Sequence, residues 1–372
     1  MSAPADEIRQ AVRRYAAEQL APHAARWDRD KEFPREALKG LAEMGLYGVA
    51  VPEEWGGAGM DYTALAVACE EISAGDCASA TIVAVNNLVA GILSGYGNQT
   101  QKEKFLKPLA QGRMLGAFAL TEPQVGSDAS AITTRAERKG NEYILNGVKQ
   151  FITSGKNADV AVVFAVTDKG AGKKGISAFL VPTSTPGYVV ARIEDKLGQR
   201  ASDTAQIVFE NCKTEHLLGQ EGAGYRIALA NLESGRINVA AQATGVARAA
   251  LEAAIAYTRE RKSMGKALIE HQAVNFRLAD MATQVEAARQ LYLHAARLRD
   301  AGQPCLKEAS MAKLFASEMA EKVCSDAIQV HGGYGYVSDF PVERFWRDVR
   351  VTKIYEGAND IQRMVIGREL EQ

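Results

Sequence analysis

Glu356 stands in the run VTKIYEGANDIQR, residues 351 to 363, between an aromatic residue and a glycine and ahead of a short amphipathic stretch. A carboxylate held in the approach to a helix N-terminus has the chemistry of a general base. Gly357 leaves room for a ligand to come close to the backbone. Asn359 is placed to cap the helix, and Gln362 follows three residues on, the spacing of a capping box. Read alone, the commoner meaning of such a run is a surface glutamate in a helix-entry turn.

Four other stretches carry groups of the right kind. In TEPQVGSD, residues 121 to 128, Thr121, Ser127 and nearby backbone N–H groups could hold a polar ring or a phosphate. In FITSG, residues 151 to 155, Phe151 could stack on a planar ligand with Thr153 bonding beside it. RERKSMGKALIEHQ, residues 259 to 272, offers Arg261, Lys262 and Lys266 to a diphosphate. QVHGGYGY, residues 329 to 336, has Gly332 and Gly333 for close approach, or simply as a helix end. His331 by itself reads as a hydrogen-bonded structural histidine. Each stretch alone also has an ordinary structural reading.

The elements that must position these groups follow from the whole chain. Its 372 residues are enough for two or three domains. With 44 basic against 45 acidic residues the net charge is -1, which calls for neither nucleic acid nor an anionic membrane. No apolar run is expected to reach the length of a transmembrane helix. The N-terminus lacks the apolar core of a secretory signal, and Asp6, Glu7 and Glu18 argue against a mitochondrial presequence. Cys69, Cys77, Cys212, Cys305 and Cys324 are scattered and odd in number, which reads as reduced thiols in a cytoplasmic protein. No metal-ligand spacing is present, so a metal site is not expected.

Helical texture fills residues 1 to 115, with helices expected near 61–74 and 77–96 after the glycine-rich loop 51–62. Asn86 and Asn87 in the second of these are expected to be satisfied core or interface amides. From 116 to 221 short β runs alternate with turns, and Gly140-Asn141 and Asn146-Gly147 are turn signals. From 222 to 372 helices return. One seam runs through Val274, Leu278, Met281, Val285, Ala288, Tyr292 and Ala295, and a second through Met311, Phe315, Met319, Val323 and Ala327. The expectation is three domains, helical, then a β-barrel or sandwich, then a helical bundle.

Taken together, TEPQVGSD, FITSG, RKSMG with HQ, QVHGGYGY with PVERFWRD, and IYEGANDIQR resemble the acyl-CoA dehydrogenase family in order and spacing. The short-chain and short branched-chain members are the most similar. The resemblance covers nearly the whole chain. It implies an N-terminal helical domain, a central β-domain, a C-terminal four-helix bundle, and FAD bound without a Rossmann fold. It implies a homotetramer, a dimer of dimers, in which one subunit completes its neighbour's FAD site. It also implies electron-transferring flavoprotein as electron acceptor, and roles in fatty acid β-oxidation or branched-chain amino acid catabolism.

Carried over by residue, Glu356 matches the catalytic base. Phe118, Leu120, Thr121, Gly126 and Ser127 match the strand and loop beside the flavin, and Phe151 and Thr153 the pair that flanks its ring. Arg261, Ser263, Met264, His271, Gln272, Gln329, Gly332 and Gly333 match the stretch that reaches the FAD of the adjacent subunit. Phe151 stands where the family commonly has Trp, Met264 where it usually has Phe, and Ala358 where it has Thr or Ser. Asn359 or Asp360 would compensate for the hydroxyl missing at Ala358. Glu233 and Arg236 match residues near the CoA moiety, and Ser127 and Gly357 are substrate-binding candidates. Some members carry the base at the position held here by Gly235, which cannot serve.

The implied reaction is α,β-dehydrogenation of an acyl-CoA to the trans-2-enoyl-CoA. Glu356 removes the α-proton and flavin N5 takes the β-hydride. VNNLVAGIL, residues 85 to 93, and LESGR look most like members acting on butyryl- or isobutyryl-CoA. Two other readings stand beside this one: a flavin oxidase on the same scaffold, and a non-catalytic flavin-binding homologue of the DNA-damage response.

Overall fold

A computed structural model describes residues 3–371. α1 (Ala3–Tyr15) opens the chain, and a π turn over Ala16–Leu20 leads into α2 (Ala21–Asp30). α3 (Arg35–Glu43) buries Leu38, Leu41 and Ala42. α4 (Tyr62–Gly75) and α5 (Cys77–Tyr96) follow the glycine-rich loop. Asp61 and Asp76 start them as N-caps, accepting from Ala64 N at 2.7 Å and Ser79 N at 2.8 Å. The short α6 (Gln99–Gln101) and α7 (Lys107–Ala110) lead to the sheet.

One expectation is corrected at α5, which has the length and composition to cross a membrane. The fold buries most of it instead, as an all-round apolar helix requires. Its two asparagines are satisfied and tie layers together. Asn86 donates to the Tyr47 carbonyl at 2.9 Å and accepts from Gly116 N at 2.9 Å. Asn87 donates to the carbonyls of Leu46 at 2.8 Å and Val83 at 2.9 Å and accepts from Val49 N.

The middle of the chain is an eight-stranded sheet: β1 (Gly116–Ala119), β2 (Arg135–Lys139), β3 (Glu142–Thr153), β4 (Val160–Val166), β5 (Ile176–Pro182), β6 (Tyr188–Ile193), β7 (Thr204–Thr214) and β8 (Leu217–Leu218). The order is β6-β7-β3-β2-β4-β5-β8, with β1 parallel to β4. Gly140-Asn141 turns β2 into β3 as the sequence predicts. Asn146-Gly147 does not turn the chain. β3 runs through it with a register shift after Leu145, and a Cβ on Gly147 would lie 2.7 Å from Thr134 Cα. That glycine serves a close backbone approach rather than a reversal.

The last part comprises α8 (Gly224–Glu260), a hairpin of β9 (Lys262–Ser263) and β10 (Lys266–Ala267), α9 (Gln272–Asp300), α10 (Leu306–His331), α11 (Val342–Val349) and α12 (Asn359–Leu370). The predicted α9 seam is buried from Leu278 to Ala295. On α10 the predicted stripe holds only in part, since Phe315 faces outward. The face α10 buries includes Ala309, Ala312, Ala316 and Ala320. Such small side chains let α10 lie close against the alanine-rich α8. The two helices run parallel: Arg236 bonds Ser310 near one end, and Tyr257 stacks on His331 at 4.3 Å near the other.

Candidate active site

The chain leaves a 3-10 turn at Lys353 and enters α12 at Asn359, and Glu356 lies between them. Glu356 and Gly357 both have left-handed backbones, φ 54° and 92°. Glutamate holds that conformation only where its surroundings impose it. Three side chains do so. Tyr355 OH donates to Gln242 Oε1 on α8 and accepts from Gln199 Nε2 at 3.3 Å. Gln362 Nε2 reaches back to the carbonyls of Glu356 at 3.3 Å and Gly357 at 2.8 Å. Lys313 Nζ, from α10, donates to the Gly357 carbonyl at 2.8 Å.

This arrangement replaces the expected capping box. Ala358 is the N-cap residue and has no side chain to cap with. Asn359 is inside the helix and turns inward, accepting from Lys313 Nζ at 2.9 Å and bonding Ser317 Oγ. Gln362 donates to carbonyls instead of receiving an N–H. The amides hold the turn rather than finishing the helix. Asn359 is thereby committed to α10, and Asp360 points outward, paired with Arg363 at 3.4 Å.

The carboxyl of Glu356 is aimed inward. Its Oε2 is buried and has no hydrogen-bond partner among the described residues. It would lie 2.4 Å from a Cβ on Gly235, so that glycine makes the space the carboxyl occupies. The carboxyl of Glu356 and the backbone of Gly235 on α8 therefore meet at one point. Burial pushes the Glu356 carboxyl up to about 7, and the positive charges of Arg236 and Lys313 offset only part of that. Lys313 is itself driven down to about 7, by burial first, against the pull of Glu356. Arg236 is also buried; its one protein bond goes to Ser310 Oγ at 3.2 Å, and its Nε has no partner among the described residues. A carboxyl without donors, poised near neutrality between two cations, is equipped to take a proton.

A second group of candidate residues meets at the end of β1. The loop after Phe118 and Leu120 is locked by a buried pair: Lys149 Nζ donates to the Leu120 carbonyl at 2.8 Å and to Glu122 Oε1 at 2.9 Å. Glu122 also accepts from Thr133 N and Thr134 N, and with Lys149 these bonds outweigh burial and hold its carboxyl down at about 2. Gln150 N donates to the Thr121 carbonyl at 2.8 Å. Thr121 and Phe151 are thus brought side by side. Phe151 sits on a register shift with φ 59° and is 62% exposed. Gly126 and Ser127 are exposed, and a Cβ on Gly126 would meet no atom within 4 Å. An exposed aromatic face of this kind is suited to a planar ring. Thr153 pairs with Thr204 at the strand end.

The third group is elsewhere. Arg261, Ser263, Met264, Gln272, Gln329, Gly332 and Gly333 are all exposed, Met264 to 93%. His271 bonds the Ser263 carbonyl at 3.0 Å, and Arg261 lies over the Tyr334 ring, so the hairpin and the helix end form one surface. Gln329 is about 24 Å along α10 from Lys313, at 1.5 Å per residue. These residues do not reach the Glu356 carboxyl of their own chain. Glu233 is held by Arg299 at 3.0 Å and Cys305 Sγ at 3.2 Å. His331 is buried and bonded to the Ala327 carbonyl, a structural histidine.

Sequence reasoning missed Lys313, Tyr355, Gln199 and the Glu122–Lys149 pair. Lys313 carried one readable signal, a lysine on the apolar side of an alanine-rich helix, which must have a partner. The other contacts join residues far apart in the chain and left no local pattern.

Helices, a central sheet and helices again, in three successive domains, are the architecture of a family of flavoprotein dehydrogenases. The N-terminal, middle and C-terminal domain models of acyl-CoA dehydrogenase match residues 2–113, 117–212 and 222–371. The chain belongs to the acyl-CoA dehydrogenase family. It is 47% identical to an acyl-CoA dehydrogenase of Bacillus subtilis (strain 168), over 98% of this chain and 97% of that one. It is 46% identical to the mitochondrial short-chain specific acyl-CoA dehydrogenase of Rattus norvegicus, over 98% of this chain and 89% of that one. The structure of butyryl-CoA dehydrogenase from Megasphaera elsdenii superimposes with a TM-score of 0.98 at 40% identity, covering 100% of this chain and 99% of that one.

Proposed function

We propose that this protein dehydrogenates short acyl-CoA thioesters, with Glu356 as the base and FAD as cofactor. The observation that carries the reading is the buried Glu356 Oε2 without a donor, poised near neutrality beside Arg236 and Lys313. Bound FAD would supply the acceptor for the hydride that leaves the β-carbon. Phe151, Thr121, Gly126 and Ser127 would hold it on one subunit, and the open surface at Arg261, Gly332 and Gly333 would complete the site of a neighbour in a homotetramer. Glu356 takes the α-proton. The carbonyls of Glu356 and Gly357 are both held by Gln362, and among the described residues no hydrogen bond uses the Glu356 N–H. That N–H is left to stabilise the thioester oxygen as charge develops on it.

Short substrates are favoured by the likeness to short-chain and butyryl-CoA enzymes, and electron-transferring flavoprotein is the proposed acceptor. The test is an anaerobic titration of the FAD-loaded protein with acyl-CoAs from C4 to C16 and isobutyryl-CoA. Rapid bleaching of the flavin band by C4 or isobutyryl-CoA supports the reading. A flavin that no thioester bleaches refutes it.

A further inference from the structure

Lys313 lies in the first half of α10 with none of its side chain exposed, and its neighbours one turn either way on the buried face are Ala309, Ser310, Ala316 and Ser317. Burying a lysine there is costly unless it has work to do. Its ammonium bridges two elements of the base turn, the Gly357 carbonyl at 2.8 Å and Asn359 Oδ1 at 2.9 Å. Asn359 is fixed in turn by Ser317 Oγ at 3.0 Å, one helical turn further along α10. Gln362 takes the same Gly357 carbonyl from the other side. The peptide after Glu356 is therefore clamped between α10 and α12, and the left-handed backbone at Glu356 and Gly357 persists because of that clamp.

Resting on the reading of Glu356 as base, we propose that Lys313 is its positioning residue: it clamps the Glu356–Gly357 turn and, beside Arg236, adds a second positive charge that favours the ionised base. The charged groups facing this pair are Arg236 on α8, Glu318 beside Lys313 on α10, and, around Arg236, Glu233 on α8 and Arg368 on α12. None of these four donates to the turn's backbone as Lys313 does; Glu318 only accepts from Asn359 Nδ2, at 3.5 Å. A lysine kept merely for packing would be replaceable by an apolar chain of its length without effect on Glu356.

The test compares the FAD-loaded wild type with Lys313→Met and Lys313→Gln, and uses Glu356→Gln to assign the Glu356 band in infrared difference spectra. Removing the ammonium is expected to move the Glu356 titration midpoint up by about one pH unit in both variants, since a close opposite charge is worth about that much or more. Lys313→Met is expected to lose about 10²-fold in the rate of flavin reduction by butyryl-CoA with KM nearly unchanged, the cost of a displaced reacting group. Lys313→Gln keeps a donor to Gly357 and is expected to lose less. If Lys313→Met does not fold, Lys313→Gln carries the titration. An unmoved midpoint overturns the proposal. The infrared titration needs no substrate, so a wild type inert towards acyl-CoA would refute the reaction and leave the Lys313 coupling still measured.

Discussion

Two of the places where this molecule holds an inward carboxylate beside cations do so to opposite ends. At the junction of α1, α4, α8 and α9, Glu70 and Glu71 are each 1% exposed. Glu70 accepts from Arg289 Nη2 at 2.8 Å and from Tyr292 OH, with Arg248 Nε at 3.3 Å. Glu71 accepts from Arg13 at 2.9 Å and Arg248 at 2.6 Å. Burial alone would raise the Glu70 carboxyl, but the bonds and charges of Arg289 and Arg248 win and hold it below the usual range. Glu356 has two cations in range as well, yet no donor touches its Oε2, and burial wins. The number of nearby charges does not separate the two sites. Direct hydrogen bonds do: where every oxygen is bonded the acid is structural, and where one is left bare the acid can accept a proton.

The largest effect expected from this contrast is at Glu356. Glu356→Gln keeps the shape and removes the base, so flavin reduction should slow by at least about 10³-fold with the melting profile unchanged. A variant within tenfold of wild type in stopped-flow would end the assignment. Glu71→Ala should do the reverse. It removes one of the three carboxylate partners of Arg248, which keeps Glu70 and Glu252, and the partner of the half-exposed Arg13, so a loss of about 1–3 kcal/mol is expected. Thermal unfolding would show that loss, while the rate per folded molecule stays near wild type; a rate loss without a stability loss would mean that the two clusters are not separate in function.

Gly235→Ala tests the space the carboxyl needs. A Cβ there would stand 2.4 Å from Oε2, so the carboxyl must shift, and about 10²-fold in rate should follow with the fold intact. An unaltered rate would show that the carboxyl works from another position. The pH dependence is smaller at any working pH. Glu356 must be ionised to react, and its acid form is favoured by burial up to about 7. Below that value kcat/KM should rise about tenfold per pH unit and then level off. The sign for stability is opposite: the neutral carboxyl suits its burial, and that benefit, full below 4.5, fades as pH rises through about 7. A rate that is flat from pH 5 to 8 would contradict the raised carboxyl.

Much of this was legible in the sequence because it is local. The order helices, sheet, helices follows from periodicities of 3.6 and 2, and the α9 seam lies where its spacing puts it. Glu356, Thr121 and Phe151 stand in motifs, and motifs are local too. The capping box at Asn359 and Gln362 had the right spacing and the wrong partners, because Lys313, Ser317 and two left-handed carbonyls compete for those amides. The Asn146-Gly147 turn failed for a similar reason: the glycine answers the close approach of Thr134 on the neighbouring segment. In both cases a tertiary neighbour decided between two uses of the same residue. The strained backbone at Phe151 and Glu356 left no trace in the sequence, since neither residue favours it.

The smallest expected effect is at Tyr355, and it asks whether the base turn is held by one domain or by two. Its hydroxyl donates to Gln242 on α8 and accepts from Gln199, which precedes β7. Gln242 in turn donates to the Cys77 carbonyl at 3.1 Å, and Gln199 to the Asp348 carbonyl at 3.1 Å. One hydroxyl thus joins the turn to the bundle, to α5 and to the sheet that carries Phe151. Tyr355→Phe removes that link and leaves the ring in place. A neutral hydrogen bond is worth about 0.5–1.5 kcal/mol net, so a rate loss of at most about tenfold is expected. If Lys313 and Gln362 hold the turn by themselves, the rate should not move and only thermal stability should fall. If the rate and stability fall together, the sheet and the bundle position the base jointly, and the geometry between Glu356 and Phe151 is set through this hydroxyl.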